Sequence, residues 1–276
     1  MSNESILTPD AAAARAPVQA LWLPADDRGG QRPRLSGPLL VDGGDRDVPG
    51  GALRLAQLLA GRDPVRVNVR ATGAALRNRV AALSAAARSD AAAYVLIGLP
   101  ATGTREREDA GDLTCRLAAE AAVPVLAVPP RLHALPRSVL SVVDGGDASM
   151  EAARAALPLL GEFASLTLLH VVLSDAPGGP GSPAGEGGLQ RGVDALRRLA
   201  KEIGDSADVA VHLVVLQGDP RTVLAGWVPG FDLVTLGAPS RGDIQPGSET
   251  SLPGIVFENA LGTILVAPTR ISHMSA

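Results

Sequence analysis

The chain has 276 residues, more than one ordinary α/β domain needs and enough for two. Of these residues 46% are hydrophobic and 20% are charged, which excludes a disordered chain. The net charge is −4 and no dense basic patch occurs, so we expect no nucleic-acid partner. No apolar run is long enough to span a membrane, and residues 1–17 lack the pattern of a signal peptide. These observations predict a cytoplasmic protein with a flexible tail at residues 1–17.

Three short apolar runs in the first half predict buried strands. Residues 39–41 lead into Asp42, residues 94–97 lead into Gly98, and residues 125–129 read VLAVP. An alternative places the first strand of this half at residues 18–23 and makes 39–41 the second strand. The sequence leaves both assignments open.

The chain has a single cysteine, Cys115, which therefore cannot form an intrachain disulfide. Its neighbours Leu113, Leu117 and Ala118 place it on the apolar side of a predicted helix. We therefore expect a buried, inert thiol.

The second half alternates strands and helices. Strands are predicted at residues 138–143, 165–173, 209–216, 231–236 and 264–267, and helices at 150–163, 189–203 and 252–261. A segment rich in Gly, Pro and Ser, residues 174–188, predicts a mobile loop. The alternation predicts a parallel sheet covered by helices on both faces.

The two halves repeat each other. The segment that begins at Asp42 and the one that begins at Asp144 both read DGGD, and Gly98-Leu-Pro resembles Gly237-Ala-Pro at a spacing that the closing apolar runs share. The first half is shorter between these two motifs, so we expect it to lack one strand and one helix.

The predicted fold is therefore α/β, with two tandem Rossmann-like domains, each a parallel sheet flanked by helices, of which the first is abbreviated. We expect domains at residues 18–130 and 138–270, joined by a linker at 131–137.

Five motifs of the second half occur in an order and spacing that resemble the universal stress protein superfamily in its tandem form. They are Asp144-Gly145, His170-Val171-Val172, Gly218-Asp219-Pro220, Asp232-Leu233 up to Gly237, and Ile264-Leu265-Val266. The resemblance is weaker over residues 39–130. It implies a stress-response binding or regulatory module with weak or absent nucleotide binding, rather than a conventional enzyme.

Nucleotide-binding members of that superfamily carry Gly-x2-Gly-x9-Gly-Ser/Thr, in which glycines admit the phosphates and the final hydroxyl begins a helix. The second copy has Gly237, Ser240, Thr250 and Ser251 at these positions. Side chains at the two middle positions would strain a loop that needs positive φ there.

If this copy binds a nucleotide, the resemblance assigns the contacts residue by residue. Asp144 would contact adenine or ribose, the backbone of Val172 would contact adenine, and Arg241, Thr250 and Ser251 would contact phosphate. Asp243 and Glu249 place negative charge in the same loop. ATP is thus the only candidate cofactor, it concerns the second domain alone, and a nucleotide-dependent switch stays open as an alternative.

The first copy has Gly98, Ala101, Gly111 and Asp112 at the corresponding positions. A carboxylate at a helix N-terminus repels phosphate, and Asp112 is expected to lie there, so this copy is predicted not to bind ATP.

Simpler readings exist for the same residues. Asp42 and Asp144 suit Asx turns at strand ends, and Ser251 suits a helix cap better than a nucleophile. No residue set has the spacing of a metal site or a catalytic triad. The segment that begins at Asp144 faintly resembles the Ser-Gly-Gly-x-Asp-Ser loop of adenylating enzymes, but its leading Ser is absent. That enzyme class is the remote alternative.

The resemblance also implies a partner within the chain, because relatives pair two domains across the last strand of each sheet. The apolar segments 125–128 and 264–266 suit such a pairing. A further homodimer and an unknown protein partner are left open.

Overall fold

A computed structural model describes residues 19–22, 33–43, 49–70, 76–172, 183–239 and 251–269. The strands are β1 (Gln19–Trp22), β2 (Leu39–Asp42), β3 (Val67–Arg70), β4 (Tyr94–Gly98), β5 (Val125–Val128), β6 (Ser138–Val142), β7 (Ser165–Val172), β8 (Ala210–Gln217), β9 (Leu233–Gly237) and β10 (Thr263–Ala267). The α-helices are α1 (Gly50–Arg62), α2 (Leu76–Ser89), α3 (Arg105–Ala121), α4 (Asp147–Ala156), α5 (Pro183–Ser206), α6 (Pro220–Trp227) and α7 (Leu252–Asn259).

The described strands form one sheet in the order β1-β8-β7-β6-β9-β10-β5-β4-β2-β3. Strands β6 to β10 are mutually parallel, and so are β2 to β5. We call β2 to β5 with α1 to α3 the first unit, and β6 to β10 with α4 to α7 the second unit. The predicted α/β fold with parallel sheets and flanking helices is confirmed.

The first unit has four parallel strands and the second has five. In the second unit β6 lies between β7 and β9, and in the first unit β2 lies between β3 and β4 in the same way. Helix α2 packs against α3 on the same face of the sheet on which α6 packs against α7, so among the described residues the first unit has no counterpart of β8 and α5. It is therefore abbreviated, as the shorter spacing of its motifs predicts.

Strand β1 is a departure from the predicted organisation. It pairs antiparallel with β8 at the outer edge of the second unit and does not contact β2 in the sheet. The alternative that made residues 18–23 the first strand of the first half is therefore wrong, because β2 already has β3 and β4 as its two neighbours. Residues 19–22 thus pair with a strand of the second unit, although they precede the first unit in the chain.

The predicted mobile loop at residues 174–188 is wrong in its second part. Helix α5 begins at Pro183, six residues before the predicted helix at 189, because proline is well suited to the first turn of a helix. Residues 173–182 and the predicted tail at 1–17 lie outside the described residues. No helix within the described ranges is long and apolar enough to cross a bilayer.

The two units meet through their last strands. β5 and β10 pair antiparallel, with Leu126 opposite Leu265 and Val125 opposite Val266. All these side chains are fully buried. The two hydrophobic clusters on either face of the sheet both contain residues of both units, so the core runs continuously across this junction.

A buried arginine ties the units together on one face of the sheet. Arg107 on α3 is 4% exposed and donates to the carbonyls of Phe257 and Ala260 at the end of α7. It also donates to the carbonyl of Pro100 in its own unit at 2.6 Å. The guanidinium therefore caps the C-terminus of a helix in the other unit, although burial lowers its pKa.

Side chains of Tyr94 and Arg62 also form hydrogen bonds between the units, on the opposite face of the sheet. The hydroxyl of Tyr94 on β4 donates to the carbonyl of Ala155 on α4 at 2.7 Å. Arg62 at the end of α1 donates to the carbonyl of Leu160 at 2.7 Å. Burial raises the pKa of Tyr94, so its proton stays in place at neutral pH.

Replacing Arg107 by alanine should lower the free energy of unfolding by about 2 to 4 kcal/mol, because three carbonyls that it satisfies lose their donor. Urea unfolding followed by circular dichroism measures this change. Arg105→Ala is the matched control, since Arg105 is exposed at the start of the same helix. Equal stability of the two variants would contradict the role given to Arg107.

Candidate functional site

The candidate site of the second unit lies where β6 and β9 end. These neighbouring strands send their following helices to opposite faces of the sheet, since α4 packs with one hydrophobic cluster and α7 with the other. In parallel α/β sheets a crevice forms at such a switch point, and ligands bind there. Asp144, Val172, Gly237 and Ser251 follow or end strands, or begin a helix, at this edge of the sheet.

Asp144 makes the turn that leads from β6 into α4. Its Oδ1 accepts the N–H of Gly146 at 2.8 Å and the hydroxyl of Ser149 at 2.6 Å. The backbone N–H of Asp144 in turn donates to Ser149 Oγ at 3.3 Å. Gly145 adopts φ +89°, which favours glycine. The Asx turn expected as the simpler reading is therefore present, although Asp144 itself is exposed.

Gly237 ends β9 directly beneath the first turn of α4. A Cβ at this position would lie 2.7 Å from Ala148 Cβ and 2.7 Å from the backbone nitrogen of Ser149. The absence of a side chain thus allows helix and strand to approach each other. Gly98 has the same role in the first unit, where a Cβ would lie 2.6 Å from Pro49 Cβ.

Ser251 is the N-cap of α7. Its hydroxyl accepts the backbone N–H of Gly254 at 3.1 Å, which satisfies one of the free donors of the helix. The predicted phosphate contacts Arg241 and Thr250, and the Ser240 that replaces a glycine, lie outside the described residues. Their part in a site stays a prediction.

Val172 ends β7, next to β6 in the sheet. Its carbonyl accepts the N–H of Gly218 at 2.9 Å, so the pairing with β8 already uses this acceptor. Beside it, His170 Nδ1 lies 2.7 Å from the carbonyl of Val143 and links β7 to the end of β6. The adenine contact expected of Val172 stays a prediction.

The first unit differs at the position that sequence matching equates with Asp144. In the sheet Val41 lies opposite Leu96, and Ser141 lies opposite Thr235. Since β4 and β9 align at the spacing of the closing strands, Asp42 corresponds to Val142 and not to Asp144. The residue-for-residue match of the two DGGD segments is therefore two positions out of structural register.

Asp42 is fully buried and paired with an arginine. Arg79 on α2 donates from Nε to Asp42 Oδ2 at 2.7 Å, and its second nitrogen contacts the same oxygen. The carboxylate thus forms an internal ion pair at the end of β2.

The prediction that Asp112 lies at a helix N-terminus is wrong. Helix α3 begins at Arg105, so Asp112 lies two turns into it, where it forms an ion pair with Arg116 at 3.9 Å. Burial raises the pKa of Asp112, and Arg116 partly offsets this effect. Gly111 lies beside it in the helix, where a Cβ would come within 3.1 Å of Phe257.

This early helix start replaces the loop that the glycine pattern predicts. In the second unit the chain from Gly237 to the start of α7 covers residues 238–251, whereas in the first unit only residues 99–104 separate β4 from α3. Glu106 and Glu108 occupy the first turn of α3. The first unit thus has negative side chains, and no long loop, at the place of a phosphate site.

We call the ends of β6 and β9 with the helix starts that follow them the second corner, and the ends of β2 and β4 with theirs the first corner. Sequence reasoning missed three residues that shape these two corners. Ser149 carries a signal, because a Ser five residues after a turn-forming Asp can bond back to it. Arg79 and Arg107 carry none, since each acts across a distance of dozens of residues on an element that the apolar pattern does not single out. Only the three-dimensional packing identifies them.

The described residues contain neither an exposed thiol nor a cluster of metal ligands. Cys115 is buried on α3, as predicted, and burial raises its pKa to about 12. Within the described residues no group of three or more His, Cys, Asp or Glu side chains converges on one point.

Comparison with known proteins gives a family match for part of the chain. Residues 136–246 match the model of the Universal stress protein family. No curated protein matches the chain in sequence.

Solved structures with similar folds cover both units. A putative universal stress protein from Pseudomonas aeruginosa superposes with a TM-score of 0.56 at 16% identity, over 84% of this chain and 93% of the other. A second P. aeruginosa protein, described as functionally unknown, gives 0.54 at 15% identity over 84% and 92%. A universal stress protein from Archaeoglobus fulgidus gives 0.51 at 16% identity over 79% and 74%. At these identities the likeness establishes the fold.

Replacing Gly237 by alanine should destabilise the protein by about 1 to 3 kcal/mol, because the new methyl group would overlap the backbone of α4. Thermal unfolding measures the loss. Gly226→Ala on α6 is the control, since nothing lies within 4 Å of its added Cβ and alanine favours the helix. Unchanged stability of Gly237→Ala would show that the close approach does not constrain this position.

Proposed function

We propose that this chain is a cytoplasmic stress-response module that acts through binding and has weak or absent nucleotide affinity. The match of residues 136–246 to the model of the Universal stress protein family supports this proposal. The fold of the chain is shared over most of its length with solved universal stress proteins. Any ligand is expected at the two corners, where the following helices leave the sheet on opposite faces.

The observation that carries this proposal is that three polar side chains described at these corners already have partners in the protein. Asp42 pairs with Arg79, Asp144 bonds Gly146 and Ser149, and Ser251 caps its own helix. A nucleotide would have to replace these bonds or compete with them. Since a typical hydrogen bond contributes only about 1 kcal/mol net, exchanging one for another gains little affinity.

Charge supports the same conclusion for the first unit. Two glutamates, Glu106 and Glu108, lie in the first turn of α3, where the helix dipole would otherwise attract a phosphate. Each acidic side chain there favours the helix by roughly 0.3 to 1 kcal/mol. A polyphosphate would lose that attraction and meet two like charges instead.

Ser149 is the hydroxyl that a catalytic role in the described part of the second corner would use. Ser149 is 3% exposed, and its hydroxyl donates to Asp144 Oδ1 at 2.6 Å, with the carbonyl of Gly146 at 2.9 Å as the other acceptor within reach. This Ser-Asp pair is packed under the loop that it holds, which suits a structural role. We therefore do not assign an adenylating activity to the segment around Asp144.

A second candidate function is an ATP-dependent switch in the second unit. One observation favours it. Asp144 is exposed at the switch point, where a carboxylate can hydrogen-bond the ribose of a bound nucleotide. In the first unit the acid that ends β2, Asp42, is fully buried instead.

Equilibrium dialysis with labelled Mg-ATP separates the two candidates. We expect no stoichiometric binding by the wild-type protein at micromolar ATP. The variant Ser240→Gly/Thr250→Gly restores glycine at the two middle positions of the pattern, and it should bind at least tenfold more tightly than the wild type if side chains there block the site.

Tight binding of one ATP per chain by the wild type would contradict the main proposal and support the switch. In that case Asp144→Ala should abolish binding, whereas Glu108→Ala in the first unit should leave it unchanged. Binding lost equally in both variants would place the nucleotide elsewhere.

A further inference from the structure

The two outer edges of the parallel sheets are protected in different ways. In the first unit the edge strand is β3, which has only four residues and ends in Arg70. The Arg70 side chain is 53% exposed and forms an ion pair with Asp90 at 3.1 Å. A short strand with a charged side chain at its end is a poor template for another strand.

In the second unit the corresponding edge is β8, which has none of these features. It is eight residues long, reads AVHLVVLQ, and contains neither proline nor a charged Asp, Glu, Lys or Arg. Val211 and Leu213 pack into one hydrophobic cluster, and Val214 and Leu216 pack into the other. Burial lowers the pKa of His212, which keeps its ring neutral at neutral pH. A long, apolar, uncharged edge of this kind pairs readily with other chains.

Strand β1 covers this edge. Residues 19–22 pair antiparallel with residues 212–215, in the register Gln19 opposite Val215 and Trp22 opposite His212. The strand lies outside both repeated units, and its direction is opposite to that of every strand in the second unit. It is therefore an addition to the fold and not part of its parallel sheet.

The connection to the first unit is long enough for a strand of the same chain. Leu35 is buried, and its N–H donates to Asp63 Oδ2 at 3.3 Å, so the chain is fixed in the first unit from that point. Arg62, next to Asp63, bonds the carbonyl of Leu160, just before β7. The twelve residues between Trp22 and Leu35 can span up to about 45 Å.

From these observations we propose that β8 is a strand-accepting edge which residues 19–22 of the same chain occupy, and that a second copy of the chain pairs at this edge once that strand is removed. Two β8 strands meeting about a two-fold axis would be antiparallel and self-complementary. No charge repulsion opposes their pairing, since β8 carries no charged side chain.

Sedimentation equilibrium over a range of concentrations tests the proposal with two truncations of the full chain. Removing residues 1–32 should at least double the number of chains per particle in a concentration-dependent way. Removing residues 1–17, which leaves β1 in place, should keep the number of chains per particle found for the full chain. A synthetic peptide covering residues 17–24 should return the longer truncation to that number. A longer truncation that keeps the full chain's number of chains per particle at every concentration overturns the proposal.

A second measurement keeps the test decisive if the longer truncation does not fold. Hydrogen exchange of the β8 amides is compared in the full chain and in Ala20→Pro/Leu21→Pro, which removes N–H donors from β1. At protein concentrations too low for the variant to associate, protection at residues 212–215 should fall at least tenfold in the variant, while protection in β4 stays unchanged. Rapid exchange at 212–215 in the wild type, or equal protection in both proteins, overturns the proposal.

Discussion

The antiparallel contact between β5 and β10 is the constraint on which the rest of the molecule depends. Each of these strands is the last of a parallel sheet, and each is buried on both faces with Leu126 facing Leu265. Burial of such a leucine or valine contributes about 1.5 to 3 kcal/mol per side chain, so neither strand could remain an open edge in water. Joining the two edges within one chain satisfies both, and it also brings α3 of the first unit against α7 of the second.

That junction explains why the two candidate sites have diverged. The residues that would form a phosphate loop in the first unit instead form the first two turns of α3, and Arg107 in those turns caps α7 across the junction. Gly111, which the sequence pattern equates with a phosphate-binding glycine, admits Phe257 of the other unit. In the first unit, these residues therefore form a helix that contacts α7 of the second unit, and not a loop that could bind phosphate. The second unit has kept a long connection between β9 and α7, and its helix begins only at Leu252.

Sequence reasoning predicted the parts of this fold that are local. Short apolar runs identified β2, β4, β5 and the strands of the second unit, because burial on both faces makes those segments largely hydrophobic. It did not identify β3, whose residues are half polar at an edge, and it misplaced β1, whose position depends on which edge lacks a neighbour. At the site, the cap role of Ser251 follows from local propensity, whereas the ion pair of Asp42 with Arg79 depends on how a helix crosses the sheet.

The glycines show why a motif can match while the chemistry attached to it does not follow. Gly98 and Gly237 occupy the same structural position, and in both units a Cβ would overlap the residues that begin the first helix. Their need for glycine thus arises from a helix that packs directly on a strand end, a requirement of the α/β fold that is independent of any ligand. A ligand requirement would fall on the following loop, where Ser240 and Thr250 stand in place of glycine. A match at the first glycine is therefore evidence for the fold, and only the later positions of the pattern carry information about nucleotide binding.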